Sequence, residues 1–285
     1  MKIFGIFGYP LKHTLSPAMH NPAFQKLGMD AGYLPFELNP KCFKSVMKRL
    51  RETSLQGFNV TVPYKETVIP YLDRISPEAE AVGAVNTVKR KGTKFLGYNT
   101  DVDGFVRALS ETGSKLAGKK AVILGAGGAA RACVAGLLRE KAGRICLFNA
   151  AFDFERAEKL RRHFVKRVPR APLEIFVLNE KILKRELEDA AVVVNATSVG
   201  MKKDDPVLIS SRVLPGKRIL AFDVIYKPAE TPFLRLARLK GHKTVNGLSM
   251  LFYQGVKAFE IWTGRKAPVA VMRESLVKAL EESRK

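Results

Sequence analysis

Ala121-Val122-Ile123-Leu124-Gly125-Ala126-Gly127-Gly128-Ala129-Ala130 sets a short apolar run against a cluster of glycines, and that cluster opens a stretch, Ala129 to Glu140, that reads as a helix. A strand followed by a glycine-rich turn and a helix lets the backbone bend tightly and approach a pyrophosphate, whose charge is met by the helix N-terminus. Tight strand-to-helix turns favour glycine for conformational reasons too, so the pattern gains weight only from its context. That context is a second strand, from Arg144, completing a strand-helix-strand unit.

Outward from this unit the same alternation continues. Strands are expected at Ala121 to Leu124, Arg144 to Phe148, Leu173 to Leu178, Ala190 to Val194, Arg218 to Val224 and Lys243 to Val245, with helices between most of them. Upstream, Lys2 to Gly8, Tyr33 to Leu38 and Gly57 to Val62 read as strands, separated by helices near Ser16 to Leu27 and Pro40 to Thr53. Asn86 to Gly97 reads as a hairpin turning at Arg90-Lys91-Gly92-Thr93. The expected fold is α/β with two domains, an N-terminal α/β domain and a Rossmann-type, doubly wound dinucleotide-binding domain. The polar segment Thr112 to Lys120, with Gly113 and Gly118, is the expected joint. Residues 1–112 and the last helices, about 248–285, would form the first domain, and 113–247 the second. The 285 residues suit this, at about 150 per domain.

Composition removes several classes of function. Apolar residues at 46% and charged residues at 27% describe a folded globular chain. Met1 to Pro10 lacks the pattern of a secretory leader, and the longest apolar region, Ala121 to Leu138, is broken by Arg131 and rich in glycine. A cytoplasmic protein without a membrane partner is expected. Cys42, Cys133 and Cys146 show no Cys-x-x-Cys spacing and are expected as buried free thiols, and the four histidines never pair at metal-ligand spacing, so no metal is expected. The net charge of +22 is compatible with nucleic acid, an acidic surface or a funnel for small anions. The basic residues are scattered over helical stretches, without interleaved aromatic stacking positions, so solvated helix faces are expected and no specific nucleic acid partner.

Polar residues cluster where strands end. His13-Thr14-Leu15-Ser16-Pro17 with His20-Asn21 puts hydroxyls and an amide at a helix start, where capping is the simplest use. Asn59-Val60-Thr61-Val62-Pro63-Tyr64-Lys65 places Thr61 and Lys65 at a strand's carboxyl end, where open α/β sheets bind ligands. Gly83-Ala84-Val85-Asn86-Thr87 and Asn99-Thr100-Asp101 add two further clusters, either of which serves equally as a turn or cap. Beyond the strand ending at Asn149, Asp153 stands where an acid would hold a ribose hydroxyl, or where it would simply cap the next helix.

Taken in order, these clusters with Gly125 to Ala129, Asn195-Ala196-Thr197-Ser198-Val199-Gly200-Met201, Asp223-Val224-Ile225-Tyr226 and Asn246-Gly247 to Gln254-Gly255 resemble the shikimate dehydrogenase family over nearly the whole chain. The resemblance implies a two-domain enzyme, an N-terminal α/β substrate domain and the Rossmann-type domain with a cleft between, reducing 3-dehydroshikimate to shikimate on the route to chorismate and the aromatic amino acids, as a monomer or homodimer using NADP. It implies Lys65 and Asp101 as the catalytic pair, and Thr14, Ser16, Thr61, Asn86, Tyr226 and Gln254 as contacts of the small-molecule substrate. For the cofactor it implies Gly125, Ala126, Gly127, Gly128, Ala129, Asn149, Thr197, Ser198, Val224 and Gly247. The chemistry agrees: hydride arriving at a carbonyl leaves charge on oxygen, which a positioned proton donor neutralises. Hydroxyls and amides suit a polyol acid. The chain departs from the family pattern at Thr14, usually serine, and at Asn149-Ala150-Ala151, usually Asn-Arg-Thr, with the following helix about two residues later. Two alternatives stand beside this expectation: a quinate/shikimate dehydrogenase using NAD, and a non-catalytic nucleic-acid-binding or regulatory protein on the same fold.

Overall fold

A computed structural model describes residues 1–11 and 14–283. Lys12 and His13, the latter part of the first polar cluster, lie outside the described residues. The chain forms two compact units, Met1–Gly104 with Phe252–Lys285, and Phe105–Leu251.

In the first unit, strands β1 (Lys2–Gly8), β2 (Ala31–Glu37), β3 (Leu55–Val60), β4 (Arg74–Ile75), β5 (Thr87–Lys91) and β6 (Lys94–Tyr98) make a mixed sheet in the order β2-β1-β3-β5-β6-β4. The expected hairpin is β5-turn-β6, paired from Thr87↔Tyr98 to Lys91↔Lys94. Helix α1 (Ser16–Lys26) starts at the expected serine, and α2 (Pro40–Lys48) is capped by Asn39, whose Oδ1 accepts from the Lys41 amide at 3.0 Å. The short α3 (Pro77–Val82) has Ser76 as its cap and acidic residues in its first turn, where the helix dipole favours them. Phe7, Phe43, Phe58, Tyr64 and Phe95 form the centre of one apolar core on this sheet.

The second unit holds β7 (Lys120–Leu124), β8 (Arg144–Asn149), β9 (Leu173–Val177), β10 (Ala190–Asn195), β11 (Leu220–Asp223) and β12 (Lys243–Val245) in one parallel sheet, ordered β12-β11-β10-β7-β8-β9. Counted from β7, this is the 3-2-1-4-5-6 order of a doubly wound dinucleotide-binding fold. All six expected strands are present. Alternate residues of β7 serve opposite faces: Ala121 and Ile123 pack with Cys133, Val134 and Leu137 of α5 (Gly128–Arg139) and Leu160 and Phe164 of α6 (Phe154–Arg167). Val122 and Leu124 pack with Leu183 and Leu187 of α7 (Glu180–Leu187) and Phe233 and Leu234 of α8 (Pro232–Leu239).

Two boundaries move relative to expectation. The first division falls inside α4 (Asp101–Glu111), between Gly104 and Phe105, rather than in the Thr112 to Lys120 segment. The apolar side chains of Phe105, Ala108 and Leu109 belong to the second core, so packing overrides the polar, glycine-bearing segment as the marker of a joint. The second falls inside α9 (Leu248–Thr263), at Phe252 rather than about 248, and α9 continues with α10 (Val269–Glu282) as part of the first unit. There the Trp262 indole donates to the Val88 carbonyl at 2.9 Å and its ring lies 5.4 Å from Phe4.

Candidate active site

Strand register brings the first unit's polar clusters together. β3 is antiparallel to β5 with Asn59 opposite Thr87, and β5 is antiparallel to β6 with Thr87 opposite Tyr98. β3 and β6 therefore run the same way and release the chain at the same sheet edge. Beyond β3 lies Lys65, whose carbonyl accepts from the Val85 amide at 2.7 Å; beyond β6 the chain enters α4 at Asp101.

Lys65 Nζ donates to Asp101 Oδ2 at 2.6 Å, with the two side chains 14% and 7% exposed. The other carboxylate oxygen accepts from Asn86 Nδ2 at 2.9 Å. Asn86 Oδ1 accepts from the Thr100 amide at 2.8 Å, which fixes the amide's orientation, because a backbone N–H only donates. Asn86 Nδ2 also reaches Thr100 Oγ1 at 2.9 Å and Gln254 Oε1, from α9, at 3.3 Å. Lys65, Asn86, Asp101 and Gln254 thus form one connected, largely buried cluster. The capping use foreseen for Asn99-Thr100-Asp101 is real but falls on Asn99 alone. Its Oδ1 accepts from the amides of Asp101 and Val102 at 3.1 and 3.3 Å, leaving the Asp101 carboxylate for the cluster.

Three buried side chains outside the sequence expectation support this arrangement. Tyr33 Oη donates to Asn59 Oδ1 at 2.7 Å, Asn59 Nδ2 donates to Thr87 Oγ1 at 3.0 Å, and Thr87 Oγ1 donates to Asn86 Oδ1 at 3.0 Å. Thr87 and Thr100 flank Asn86 and Asp101 in sequence, and the hairpin spacing was the available signal for their meeting.

Thr14 and Ser16 lie at the start of α1, Ser16 buried and Thr14 half-buried. The helix has no side-chain cap; the hydrogen bond here runs from the Ser16 amide to Thr14 Oγ1 at 3.4 Å, so the capping alternative fails for these hydroxyls. Thr61 follows β3, its amide bound to the Phe7 carbonyl at 2.8 Å. Asn21 is spent on the edge strand, exchanging two hydrogen bonds with the Tyr33 backbone. His20 is fully buried, stacked on Tyr33 at 4.6 Å, and burial pulls its pKa down to about 3, so it is a neutral core residue. Tyr226 belongs to the second unit, after β11, and is half-buried.

In the second unit the Gly125 amide donates to the Phe148 carbonyl at 2.7 Å, tying the glycine loop to β8. Gly125 has φ +103°, and a Cβ there would stand 2.8 Å from Thr197 Cγ2, so only glycine fits. Gly127 is the N-cap of α5 and offers no side chain to its amides, while a Cβ on it would meet nothing within 4 Å. With Gly128 and Ala129 as the first helical residues and Ala126 buried in the turn, this open, uncapped end fits a pyrophosphate. Gly247 is required by close approach: a Cβ would lie 2.0 Å from the Val224 carbonyl oxygen. Thr197 is held by Asn195 Oδ1, at 2.7 Å from its hydroxyl, and Ser198 is exposed beside it.

Asn195 in turn donates to the Asp223 carboxylate at 3.1 Å, and Thr231 and the Ile225 amide also donate to it, at 2.6 and 2.9 Å. Burial raises the Asp223 pKa from 3.8 to about 6, against the lowering effect of these hydrogen bonds. A folded-state pKa above the unfolded value means that the folded chain binds more protons between the two. The associated stability is full below about pH 4 and is lost as pH rises through about 6. The stability difference between the parent and Asp223→Asn should therefore fall by on the order of 3 kcal/mol from pH 4 to 7. Urea unfolding of both proteins across that range measures it, and a difference independent of pH would show that Asp223 titrates normally.

Asn149 is buried at the end of β8, and its Nδ2 donates to the Asp153 carbonyl at 2.6 Å. Asp153 does not cap α6 through its side chain; its carboxylate pairs with Arg156 at 3.7 Å. The late helix start has a structural basis, a 3-10 turn over Ala151–Asp153 that precedes Phe154. Among the described residues no group of three or more His, Cys, Asp or Glu side chains is placed to hold a metal ion. Within the same residues no helix is long and apolar enough to cross a membrane. Cys133 and Cys146 are buried free thiols, whereas Cys42, expected to be buried, is exposed on α2, where Phe43 and Met47 take the buried face.

Residues 6–88 match the family model of the shikimate dehydrogenase substrate binding domain, and residues 247–277 that of the shikimate 5'-dehydrogenase C-terminal domain. A shikimate dehydrogenase (NADP(+)) of Moorella thermoacetica is 42% identical over 283 residues, 99% of this chain and 94% of the relative. The chain belongs to the shikimate dehydrogenase family. Solved members of the family share its architecture. The Aquifex aeolicus shikimate dehydrogenase superposes with a TM-score of 0.85 at 38% identity, covering 97% of each chain. The Thermus thermophilus shikimate 5-dehydrogenase, in complex with NADP(H) and shikimate, gives 0.83 at 34% identity, covering 98% of this chain and 100% of that one. The α/β architecture, with a substrate domain and a Rossmann-type domain, is therefore the family's fold.

Proposed function

We propose that this chain is a shikimate dehydrogenase, catalysing the reversible NADPH-dependent reduction of 3-dehydroshikimate to shikimate. Family membership and the buried Lys65–Asp101 pair at 2.6 Å, embedded in amides and hydroxyls, support the reading. NADP is the expected cofactor, with Gly125 to Ala129 at its pyrophosphate and Asn149, Thr197, Ser198, Val224 and Gly247 along its length.

When bound, the cofactor supplies a hydride to the substrate's ring carbonyl. The carbonyl electron pair moves to oxygen, and Lys65 Nζ gives that oxygen a proton, so that the developing charge is neutralised as it forms. Asp101 holds the ammonium in place and is free to accept a hydrogen from a ring hydroxyl. Asn86, through Nδ2, and Gln254 hydrogen-bond neighbouring ring hydroxyls, Thr61 adds a further hydroxyl, and Thr14 and Ser16 donate to the substrate carboxylate. We place this activity in the cytoplasm, carried out by a monomer or homodimer with a small-molecule substrate.

Oxidation of shikimate and of quinate, each with NADP and with NAD, tests the reading directly. Shikimate with NADP should give the highest kcat/KM, and a higher value for quinate with NAD would overturn it. Specific DNA binding with steep salt dependence and no turnover would instead favour the non-catalytic alternative.

Thr14 tests the carboxylate contact. Thr14→Ser, losing one methyl and keeping the hydroxyl, should stay within about tenfold of the parent on shikimate, at the lower end of the roughly 1–3 kcal/mol, about 10–200-fold, that a methylene-sized change in a pocket is worth. Thr14→Val keeps the shape, removes the donor and should raise the KM for shikimate further than Thr14→Ser does. The reverse order would separate the hydroxyl from the carboxylate.

A further inference from the structure

Phe152 is 95% exposed, more than any other large apolar side chain among the described residues. Leaving a phenylalanine in water forgoes the burial that normally justifies the residue. Its surroundings make it a fixed projection rather than a loose end. The 3-10 turn Ala151–Asp153 that carries it is closed twice, by the Asp153 amide donating to the Ala150 carbonyl at 3.1 Å and by Asn149 Nδ2 donating to the Asp153 carbonyl. The turn is anchored to the buried Asn149 at one end and to the first turn of α6 at the other.

Its place in the sheet says what would cover it. Asn149 ends β8, the strand next to β7, and the Gly125 loop is hydrogen-bonded to the β8 residue Phe148. In a doubly wound fold the pyrophosphate sits on the first glycine turn and the adenosine ribose lies against the residues just beyond the second strand. Here those residues are Ala150, Ala151, Phe152 and Asp153. The two alanines bring no polar group and little bulk. The planar, exposed ring is the one side chain in that stretch able to offer a base a face. We propose that Phe152 is the adenine platform of this chain, stacking on the base of the dinucleotide. Arg156, paired with Asp153 at 3.7 Å and half-exposed, supplies the positive charge next to it.

This proposal rests on the dinucleotide reading above, and its test separates the two. The probe is 2′,5′-ADP, which carries the adenosine end and no nicotinamide, titrated calorimetrically into the full chain. Phe152→Ala should weaken its binding by about tenfold, within the range that loss of a base–aromatic stack produces. Phe152→Trp should retain affinity, and its new indole fluorescence should be quenched by the probe. Phe152→Leu, apolar but not flat, should bind like the alanine variant. In turnover the KM for NADPH should rise in Phe152→Ala, while kcat at saturation and the KM for shikimate stay within about twofold, the pattern of lost uniform binding. A parent chain that binds NADPH and 2′,5′-ADP and ignores the alanine and leucine substitutions overturns the platform alone. A parent chain that binds neither of these nor NADH overturns the dinucleotide reading and the platform with it.

Discussion

Lys65→Ala should lower kcat by at least about a hundredfold while the KM for shikimate changes far less, because general acid catalysis contributes about 10²–10⁴-fold. The backbone at Lys65 is pinned independently, its carbonyl accepting from the Val85 amide at 2.7 Å, so truncation removes the ammonium without releasing the segment. Asn86, Gln254 and Thr100 are hydrogen-bonded to one another and stay in position. Lys65→Met, which retains the aliphatic stem, should be equally slow, since only the proton donor carries the effect. Near-normal kcat with a raised KM in either variant would remove Lys65 from the proton transfer.

The dinucleotide-binding unit is almost fully legible in the sequence. Its first five strands are short, mostly apolar runs bounded by polar or glycine-bearing segments, and the first is followed at once by the glycine turn; the sixth, Lys243–Val245, holds a single apolar residue. The unit's boundaries are less legible. Helix α4 changes owner midway: its first residues carry Asp101 for the polar cluster, and from Phe105 its apolar side chains join the second core. A linker is recognised by polarity and glycine, and a helix shared by two cores has neither in the right place.

The polar cluster was accessible only through the order of its motifs. Lys65 and Asp101 are separated by 36 positions, and nothing in either local stretch states that they meet. Their meeting depends on the two registers, Asn59↔Thr87 and Thr87↔Tyr98, which follow from pairing within the sheet rather than from local propensity. Asn99-Thr100-Asp101 shows how a bland and a functional use coexist in three residues, the cap falling on the first and the carboxylate of the third left for the lysine. The exposed ring of Phe152 was not foreseen, because local sequence does not state whether a phenylalanine is buried or exposed.

Asp101→Asn should lower kcat/KM by about a thousandfold, with kcat falling and KM rising, because in the proposed mechanism the carboxylate serves the lysine and a substrate hydroxyl together. The reason is a mismatch of donors. Asp101 accepts from Lys65 through one oxygen and from Asn86 Nδ2 through the other. An asparagine has one accepting and one donating end, and both neighbours donate. If its NH₂ faces Asn86, two NH₂ groups oppose each other in a buried site; if it faces Lys65, the ammonium loses the carboxylate that holds it. Asn86 cannot turn over to relieve this, since its Oδ1 is held by the Thr100 amide at 2.8 Å. Changing Asn86 to aspartate in the same chain replaces the opposing donor with an acceptor while preserving that backbone bond. The double variant Asn86→Asp with Asp101→Asn should therefore lose less activity than the product of the single losses, a coupling readable from a double-mutant cycle of kcat/KM. Strict additivity would show that the two side chains act on the substrate separately, and parental kinetics in Asp101→Asn would show that the carboxylate has no part in the reaction.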